Sequence, residues 1–486
     1  MRRKWLAVAL CLIMALAIPG ATLPGAQAAV DYDSIDADVP GNSTGFSYQN
    51  NLVELANGTY CAVYTDHVAD NTTNITARYS TDTGDTWSDA IWVDKNDTGN
   101  ESEPCITINI TSGTIHIVYT EYNATNYSKV YYNRLWVSNW TAGTPCELNA
   151  LDADNKSHPY VAMSVNGTDE RVWIFYRQQV TGDWRIFAKD SLDDGDTVGE
   201  AANMFTDADI NQSWPCLATD MNGTVHLTYS EENGTDGRWD LYYSRLVSPY
   251  SSWSDELQVD WETTYNQVEA KIVVAGPVTI GGTSIEGKIF FWTEETNDTV
   301  TQEVHWVYGD TGRNGTPNQS MILSENGYRV TGSGNLTGLR AVWTDTTDDH
   351  LHYSYINIDW EALFALDPAD YDTWEEIIAA LTSLVNYAVD TEINVSLNYS
   401  TYNDTWASLM WYYDDGANTV DKMVFTHGNN TYTVFYDFDD DWSVEAAGEY
   451  AWIDDLIQLI IAVMGVFIVI IILGGVVRGL NKSVKQ

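Results

Sequence analysis

The fold of this chain is decided by two ten-residue stretches, Ser112-Gly-Thr-Ile-His-Ile-Val-Tyr-Thr-Glu121 and Asn222-Gly-Thr-Val-His-Leu-Thr-Tyr-Ser-Glu231. Each begins with a turn residue pair and continues in β-branched and aromatic residues, which is typical of a strand that follows a tight turn. Looser copies of the same stretch begin at Asn57, Arg171, Glu286 and Thr337. The unit therefore occurs six times.

One aromatic residue in each copy sets the period of the repeat. Successive members of this set are 51 to 63 residues apart, and they are Tyr64, Tyr119, Tyr176, Tyr229, Trp292 and Trp343. Each unit holds four short strand signals, which we label A to D in chain order. Four strands in a unit of this length indicate a β-propeller. We predict an all-β, six-bladed propeller over residues 29–358, with residues 31–40 supplying the outer strand that the last unit lacks.

A second motif stands between strands C and D of two units. Its aspartate is expected to accept backbone N–H groups, and its glycine to adopt a conformation that other residues resist. The first copy is Ser80, Asp82, Gly84, Thr86 and Trp87, and the second is Ser191, Asp193, Gly195 and Thr197 followed by Val198. In this motif the chain resembles the Asp-box (BNR) repeat family, the propellers of sialidases and of many non-enzymatic surface proteins. The resemblance implies a sialidase-like scaffold.

Strand B of each unit ends on a polar residue. Five of the six are carboxylates, and the set is Asp66, Glu121, Gln178, Glu231, Glu294 and Asp345. One interpretation is that each side chain is solvated or bonded within its own blade. The other is an acidic rim at one mouth of the central channel, which would bind cations such as calcium, or glycan hydroxyl groups. Arg177 stands beside this set and joins the candidate binding residues.

The sequence favours binding over catalysis. The resemblance to sialidases implies three arginines, a Tyr–Glu nucleophile pair, an aspartate acid/base and an Arg-Ile-Pro motif, but the sequence contains no Arg-Ile-Pro. A mouth ringed by carboxylates would also repel an anionic sugar. We therefore assign no catalytic residues, no metal ligands and no cofactor. His116 and His226 take matching places in two units and are interpreted as packing residues.

The two ends of the chain predict secretion and membrane anchorage. Residues 1–28 combine a basic start, an apolar run and Ala26-Gln27-Ala28, the pattern of a signal peptide. The run Leu456–Val477 is long enough to span a bilayer, and basic residues follow it. We predict a transmembrane helix over 453–478, a cytoplasmic tail over 479–486 and the propeller outside the cell.

Between the repeats and this span, residues 359–452 are predicted to form a small α+β membrane-proximal domain. A helical face is indicated by Trp374, Ile377, Ile378, Leu381, Leu384, Val385 and Ala388. Strand signals follow at Ile393–Asn398, Trp406–Tyr413, Met423–His427 and Tyr432–Phe438.

Asparagine usage and cysteines agree with an extracellular location. Of 35 asparagines, 24 stand in Asn-x-Ser/Thr, far more than chance gives; examples are Asn57, Asn109, Asn123, Asn222, Asn233 and Asn398. Four cysteines remain after the signal peptide, an even number that suits disulfide formation in an oxidising compartment. Four cysteines can pair in three ways, and the sequence does not choose among them. The four are Cys61, Cys105, Cys146 and Cys216.

The charge balance excludes one class of partner. The 486 residues include 23 Lys+Arg and 69 Asp+Glu, a formal net charge of -46, so nucleic acid is not expected to bind. The sequence predicts an acidic, glycosylated cell-surface protein whose propeller binds an extracellular glycan, cation or protein, in adhesion or a surface layer. The alternatives are an anchored exo-glycosidase of sialidase type and a viral surface spike, which has the same topology.

Overall fold

A computed structural model of the protein describes residues 32–37, 40 and 43–438, with gaps. The gaps of five or more residues are 149–153, 205–209, 260–264, 296–301, 311–320, 359–384, 388–392, 395–403 and 412–420. The predicted signal peptide, transmembrane helix and tail lie outside the described residues. No helix in the described part of the chain is long and apolar enough to cross a bilayer.

The described residues form strands and no helix, arranged in seven antiparallel sheets, five with four strands and two with five. We call each sheet a blade. Blade 1 contains β2 (Leu52–Glu54), β3 (Tyr60–Val68), β4 (Thr72–Ser80) and β5 (Ile91–Trp92). Blade 2 contains β6 (Asn100–Asn109), β7 (Thr114–Tyr122), β8 (Ser128–Trp136), β9 (Thr141–Ala142) and β10 (Cys146–Glu147). Blade 3 contains β11 (Lys156–Asn166), β12 (Asp169–Val180), β13 (Asp183–Ser191) and β14 (Ala202–Asn203).

The second half of the chain continues the same order. Blade 4 contains β15 (Gln212–Thr219), β16 (Val225–Glu232), β17 (Trp239–Leu246) and β18 (Leu257–Gln258). Blade 5 contains β19 (Asn266–Ile280), β20 (Thr283–Glu295), β21 (Gln302–Asp310) and β22 (Met321–Ser324). Blade 6 contains β23 (Gly327–Asn335), β24 (Gly338–Asp345), β25 (Leu351–Ile358), β26 (Val385–Tyr387) and β27 (Ile393–Asn394). Blade 7 contains β28 (Asp404–Trp411), β29 (Asp421–His427), β30 (Tyr432–Phe438) and β1 (Tyr32–Ala37).

The blades close into a ring. The innermost strand of each blade contacts that of the next, in the order β2, β6, β11, β15, β19, β23 and β28, and β28 also contacts β2. This is the arrangement of a β-propeller, in which the inner strands surround a central channel.

The predicted six blades are corrected by this topology, because the described strands form a seventh sheet. Residues 31–40 do supply an outer strand, as predicted, but β1 pairs with β30 of blade 7 and not with blade 6. The outer strand of blade 6 is instead β26, reached after a long insertion in the chain.

The predicted α+β domain is also corrected. Its four predicted strands are present, at slightly different bounds, but they belong to blades 6 and 7. The span Asp31–Phe438 is one compact unit. Val385, which we assigned to a helical face, lies in strand β26, and most of the rest of the predicted helix lies outside the described residues.

The aromatic repeat forms the interior of the blades. All six aligned side chains are buried, with at most 1 % of their surface exposed. Burial of one such side chain contributes about 1.5–3 kcal/mol, so the repeated position stabilises every unit in the same way. The period of the sequence is therefore the period of the core.

Both predicted Asp-box turns are present with matching geometry. Asp82 Oδ1 accepts the backbone N–H of Thr86 at 2.9 Å, and Asp193 Oδ1 accepts that of Thr197 at 2.8 Å. In each turn the glycine N–H donates to the serine Oγ at 2.9 Å, and the glycine φ is positive (110° and 81°). Trp87 packs against the core of blade 1, as the motif predicts.

The four cysteines of the described chain are free thiols, so the structure contains none of the three disulfide pairings that the sequence allowed. Cys61, Cys105 and Cys216 are buried, and burial raises the pKa of each thiol, that of Cys105 to about 11. A buried thiol with a raised pKa forms little of the reactive thiolate.

We expect a maleimide reagent to modify only Cys146 in the folded protein, because that thiol is exposed. The other three should react only after unfolding in denaturant, without a reductant. Mass spectrometry of the labelled protein checks this. Labelling of fewer than four thiols in denaturant would show that a disulfide forms after all.

Candidate functional site

The predicted strand-B residues lie one per blade but do not form a solvent-facing rim. Gln178, Glu294 and Asp345 are buried, with 1 %, 1 % and 4 % of their surface exposed. Glu231 Oε2 accepts the Gln212 amide of its own blade at 3.0 Å. Burial, and then the nearby charge of Asp36, raise the pKa of Asp66 to about 6. These contacts agree with the interpretation in which each residue is bonded locally, and they correct the prediction of an acidic rim.

A different set of residues converges on the central channel. Five inner strands each contain a bulge, and at each bulge a residue other than glycine has a φ of 52° to 58°. These residues are Glu103, His158, Trp214, Glu269 and Arg329. Such a backbone conformation costs on the order of 1–3 kcal/mol per residue and persists where the surroundings impose it, often at functional sites. We call these five residues and Arg177 the central site.

The charges of residues from three blades act on one tyrosine. Burial raises the pKa of Tyr48 well above its usual value, and the charges of Glu103 from blade 2 and Glu269 from blade 5 raise it further. Arg177 from blade 3 acts on the same hydroxyl in the opposite direction. The Tyr48 side chain is fully buried, and no described residue forms a hydrogen bond with its hydroxyl. The pKa of one buried hydroxyl therefore responds to charged groups of blades 2, 3 and 5.

Glu103 is held by three donors. The Tyr122 hydroxyl donates to Oε1 at 2.7 Å. The Thr120 hydroxyl and the backbone N–H of His158 donate to Oε2 at 2.7 and 2.8 Å. Its backbone carbonyl accepts the Gln49 amide at 3.2 Å. The carboxylate therefore has a fixed position and orientation.

Arg177 lies between two inner strands. Its Nε donates to Ser157 Oγ at 2.8 Å, its Nη1 donates to Ser213 Oγ at 2.9 Å, and its guanidinium lies 4.3 Å from the ring of Trp184. Burial lowers the Arg177 pKa, although the charge of Glu103 opposes this change. Arg177 is the one predicted binding residue that the structure brings into the central site.

Two further titratable groups have shifted pKa values. Burial raises the pKa of Glu269 to about 7, with the Arg329 charge opposing it and Glu295 adding to it. Burial, followed by the Arg177 charge, lowers the pKa of His158 well below its usual value, so its imidazole is neutral near pH 7. The inner strands thus hold both a carboxyl group that ionises near neutrality and a neutral imidazole, two kinds of group that take part in proton transfer.

Aromatic rings border the site on blades 3 and 4. Trp214 contacts Trp239 edge-on at 4.9 Å between ring centroids, and His158 at 6.1 Å. Trp184, Trp214 and Trp239 are each partly exposed. Amphipathic rings beside polar groups are common in sites that bind sugars and other small ligands.

Lys271 of β19 contacts the segment that precedes blade 1. Its ammonium group donates to Tyr48 O at 2.9 Å and to Asn50 Oδ1 at 2.6 Å, and Tyr160 Oη lies 3.4 Å away. Further along the inner strands is a cavity of about 590 Å³ with largely apolar walls, including Leu52, Ala162 and Val273. We place the functional site on the polar side of Lys271, because the titratable groups converge there.

The sequence carried a signal for the bulges that we did not use. Pro104, Pro159 and Pro215 follow three of the five strained residues, and they lie inside the inner strands β6, β11 and β15. Proline cannot donate to a sheet ladder and is found at bulges or edges. Proline within an inner strand therefore marks this position.

The remaining predicted residues lie away from the central site. His116 and His226 are buried, and each Nδ1 lies 2.8 Å from a tyrosine hydroxyl, which agrees with packing. Asn109 is buried, and its amide donates to Glu170 and Asp194, so these contacts disfavour its predicted glycosylation. Asn57, Asn123 and Asn222 are exposed, Asn233 is partly exposed and Asn398 lies outside the described residues.

No group of three or more candidate metal ligands occurs in the part of the chain that the structure describes.

Comparison with known proteins shows the fold. No family model matches the chain, and no curated protein does. It is similar to a polysaccharide lyase, a PL25 ulvan lyase bound to -[GlcA(1-4)Rha3S]-, with TM-score 0.54 and 11% identity over 84% of this chain and 96% of that one. An α-L-arabinanase of Penicillium chrysogenum (TM-score 0.45, 12% identity, 65% and 93% covered) and a Hadza microbial sialidase (0.41, 12%, 65% and 66%) also match. The chain shares its β-propeller fold with the polysaccharide lyase.

Proposed function

We propose that this protein is a membrane-anchored, glycosylated cell-surface protein whose propeller binds an extracellular glycan at the central site. The observation that carries the proposal is the convergence of Glu103, His158, Arg177 and Glu269 beside partly exposed tryptophan rings. A sugar presents hydroxyl groups for polar contacts and apolar ring faces for aromatic contacts. The glycan-active propellers similar to this chain support that choice of ligand.

The cellular location is part of the proposal and rests on the sequence. The signal-peptide pattern of residues 1–28 and the apolar run Leu456–Val477 support secretion followed by anchorage. Exposure of Asn57, Asn123 and Asn222 leaves these side chains accessible to glycosylation. Adhesion or a place in a surface layer would use a binding propeller in this position.

An enzymatic alternative has one specific observation in its favour. Glycoside hydrolysis needs two carboxyl groups, one of them with a raised pKa. Glu269 has a pKa of about 7, and Glu103 acts on the same tyrosine hydroxyl from another blade. An exo-glycosidase is therefore our second candidate function, and the sialidase type is the form of it that the sequence resemblance implies.

The proposal is tested by binding of the full-length protein, in detergent, to a glycan array. We expect Trp214→Ala to weaken binding of the selected glycan about tenfold, since a lost ring contact is worth about 1.4 kcal/mol. Trp92→Ala is the matched control, because Trp92 is 49 % exposed on the outer strand β5 of blade 1. Equal losses in the two variants, or no bound glycan, would contradict the proposal. Release of sugar from a fluorogenic sialoside, abolished by Glu269→Gln, would favour the hydrolase.

A further inference from the structure

The inner strands of blades 1 to 6 line a cavity of about 590 Å³ that contains none of the central-site residues. Its walls are largely apolar, and buried side chains from five blades contribute to them: Leu52, Ile106, Val161, Leu217 and Ile272. Sites that bind small molecules are commonly of this size and are lined mainly by apolar side chains. The cavity is therefore a candidate for a second ligand site.

The cavity is open at one end. In blade 1 its lining changes from buried Leu52 through partly exposed Glu54 to exposed Ala56. In blade 2 it changes from buried Ile106 to Ile110, which is 64 % exposed. At a rise of about 3.3 Å per strand residue, the distance from Ile106 to Ile110 is roughly 13 Å. The cavity is therefore a channel whose mouth lies beside the turn between β6 and β7.

The closed end of the channel is polar and holds a buried cation. Lys271 Nζ donates to Asn50 Oδ1 at 2.6 Å and lies 5.7 Å from the centroid of the Tyr160 ring. That ring stacks on the fully buried ring of Tyr48, which covers this end. Burial lowers the Lys271 pKa, because the charged form loses hydration. An anion beside the ammonium group would offset that loss.

The charges of the lining differ between the two ends. Among the described residues of the lining, the charged side chains are Lys271 at the closed end and Glu54 near the mouth. An anionic group is therefore repelled at the mouth and attracted at the closed end. The apolar walls between them favour a hydrocarbon chain over water. Charge and apolar surface thus select a molecule with an anionic end and an apolar body.

We propose that this channel binds a single-chain amphiphile, a long-chain carboxylate, with its carboxylate at Lys271 and its hydrocarbon chain directed toward the mouth. The inference goes beyond the proposed glycan binding, and neither depends on the other. Of the three contacts of the ammonium group, those with Tyr48 O and Asn50 Oδ1 are short, at 2.9 and 2.6 Å. The contact with the Tyr160 hydroxyl is long, at 3.4 Å, and is the one that a carboxylate would replace.

Isothermal titration of the full-length protein with three probes that share a dodecyl chain tests the proposal. The protein is held in an amphipathic polymer, because a detergent is itself a single-chain amphiphile, and the heat of the empty polymer is subtracted. We expect dodecanoate to bind more tightly than dodecanol by on the order of tenfold, because a charge-assisted hydrogen bond is gained. Dodecyltrimethylammonium should bind most weakly, because its head group is repelled by Lys271.

A lysine substitution tests the head-group position. Lys271→Met should remove the preference for dodecanoate over dodecanol. Lys288→Met is the matched control and should keep the preference, because Lys288 is a second buried lysine of blade 5 whose ammonium donates to the Tyr243 hydroxyl at 3.1 Å outside the cavity lining. Thermal unfolding checks that both variants are folded. If Lys271→Met does not fold, the order of the three probes on the unchanged protein decides.

Three results would overturn the proposal. Equal binding of dodecanoate and dodecanol by the unchanged protein would show that no anionic head group is recognised. Preference for dodecyltrimethylammonium would place the head group near Glu54. No heat above that of the empty polymer would show that the channel holds water. Glycan-array binding of the same preparation reports on the central site separately.

Discussion

A variant that lacks residues 32–37 is expected to lose most of its cooperative stability, because β1 joins the two ends of the ring. In blade 7, β1 pairs with β30 from Tyr32↔Tyr436 to Ala37↔Tyr432. Its side chains also reach blade 1, where Ile35 is buried with Leu52 and Tyr64. Together the lost ladder bonds, apolar burial and ion pair are worth on the order of 5 kcal/mol, comparable with the whole stability of many domains.

The polar part of this closure is a three-residue cluster. Arg78 Nη2 lies 2.9 Å from Asp36 Oδ2, the Tyr64 hydroxyl donates to the same oxygen at 2.5 Å, and Arg78 Nε donates to that hydroxyl at 2.8 Å. Asp36→Ala and Arg78→Ala should each destabilise the protein by about 1–3 kcal/mol, and the double variant by less than their sum.

Thermal unfolding followed by near-ultraviolet circular dichroism measures these losses. The control is Asp196→Ala, because this carboxylate is 71 % exposed and loss of its pair with Arg134 should cost little. An unchanged melting temperature after deletion of 32–37 would show that the ring closes without β1.

The repeat explains how much of the fold was predictable. Six blades were found because each buries its aromatic residue at the same place in the strand pattern, so the core appears in the sequence as a period. The seventh was missed because the period breaks. Phe425 takes a place in β29 comparable to that of Trp343 in β24, and the two are 82 residues apart. The aligned aromatic residues of earlier units are only 51 to 63 residues apart. The strands of blade 7 were recognised as strands but assigned to a separate domain, since a long insertion precedes them.

The candidate site was less predictable, for a physical reason. A strand pattern indicates which residues alternate between two faces, but a bulge shifts that alternation by one residue and turns a side chain in a new direction. Glu103 and Glu269 therefore gave no signal of their own in the sequence. Arg177 was identified because it adjoins a repeated strand end, yet its contacts with Ser157 and Ser213 depend on how blades 3 and 4 pack.

Asp194→Ala is expected to destabilise the protein by on the order of 3 kcal/mol, because this one residue of blade 3 satisfies several groups of blade 2. Asp194 Oδ1 accepts the Asn109 amide at 2.8 Å, and Oδ2 accepts the Thr114 hydroxyl at 2.7 Å. His116 Nε2 lies 3.2 Å from Oδ1. Removing the carboxylate leaves three buried polar groups with fewer partners. The Asp-box pattern does not specify the residue between its aspartate and its glycine, and the first copy has Thr83 there. The importance of Asp194 was therefore not visible in the sequence.

Acid should remove the same stabilisation. Burial alone would raise the Asp194 pKa, but hydrogen bonds from His116, Thr114, Ser112 and Asn109 outweigh it and hold the pKa well below its usual range. A carboxyl group with a depressed folded-state pKa stabilises the fold above its unfolded pKa of about 4 and loses that contribution as the pH falls below it. The free energy of unfolding should therefore fall progressively as the pH drops below about 5, with a shallower slope in Asp194→Asn.

Asp196→Ala is the matched control on the same turn, because Asp196 is 71 % exposed and its pair with Arg134 is screened by solvent. Urea unfolding at several pH values compares the two variants. If Asp194→Ala were as stable as Asp196→Ala at pH 7, the contacts between blades 2 and 3 at this turn would contribute little. Cohesion of the ring would then come from the packing of its inner strands, since those strands contact one another at every blade boundary.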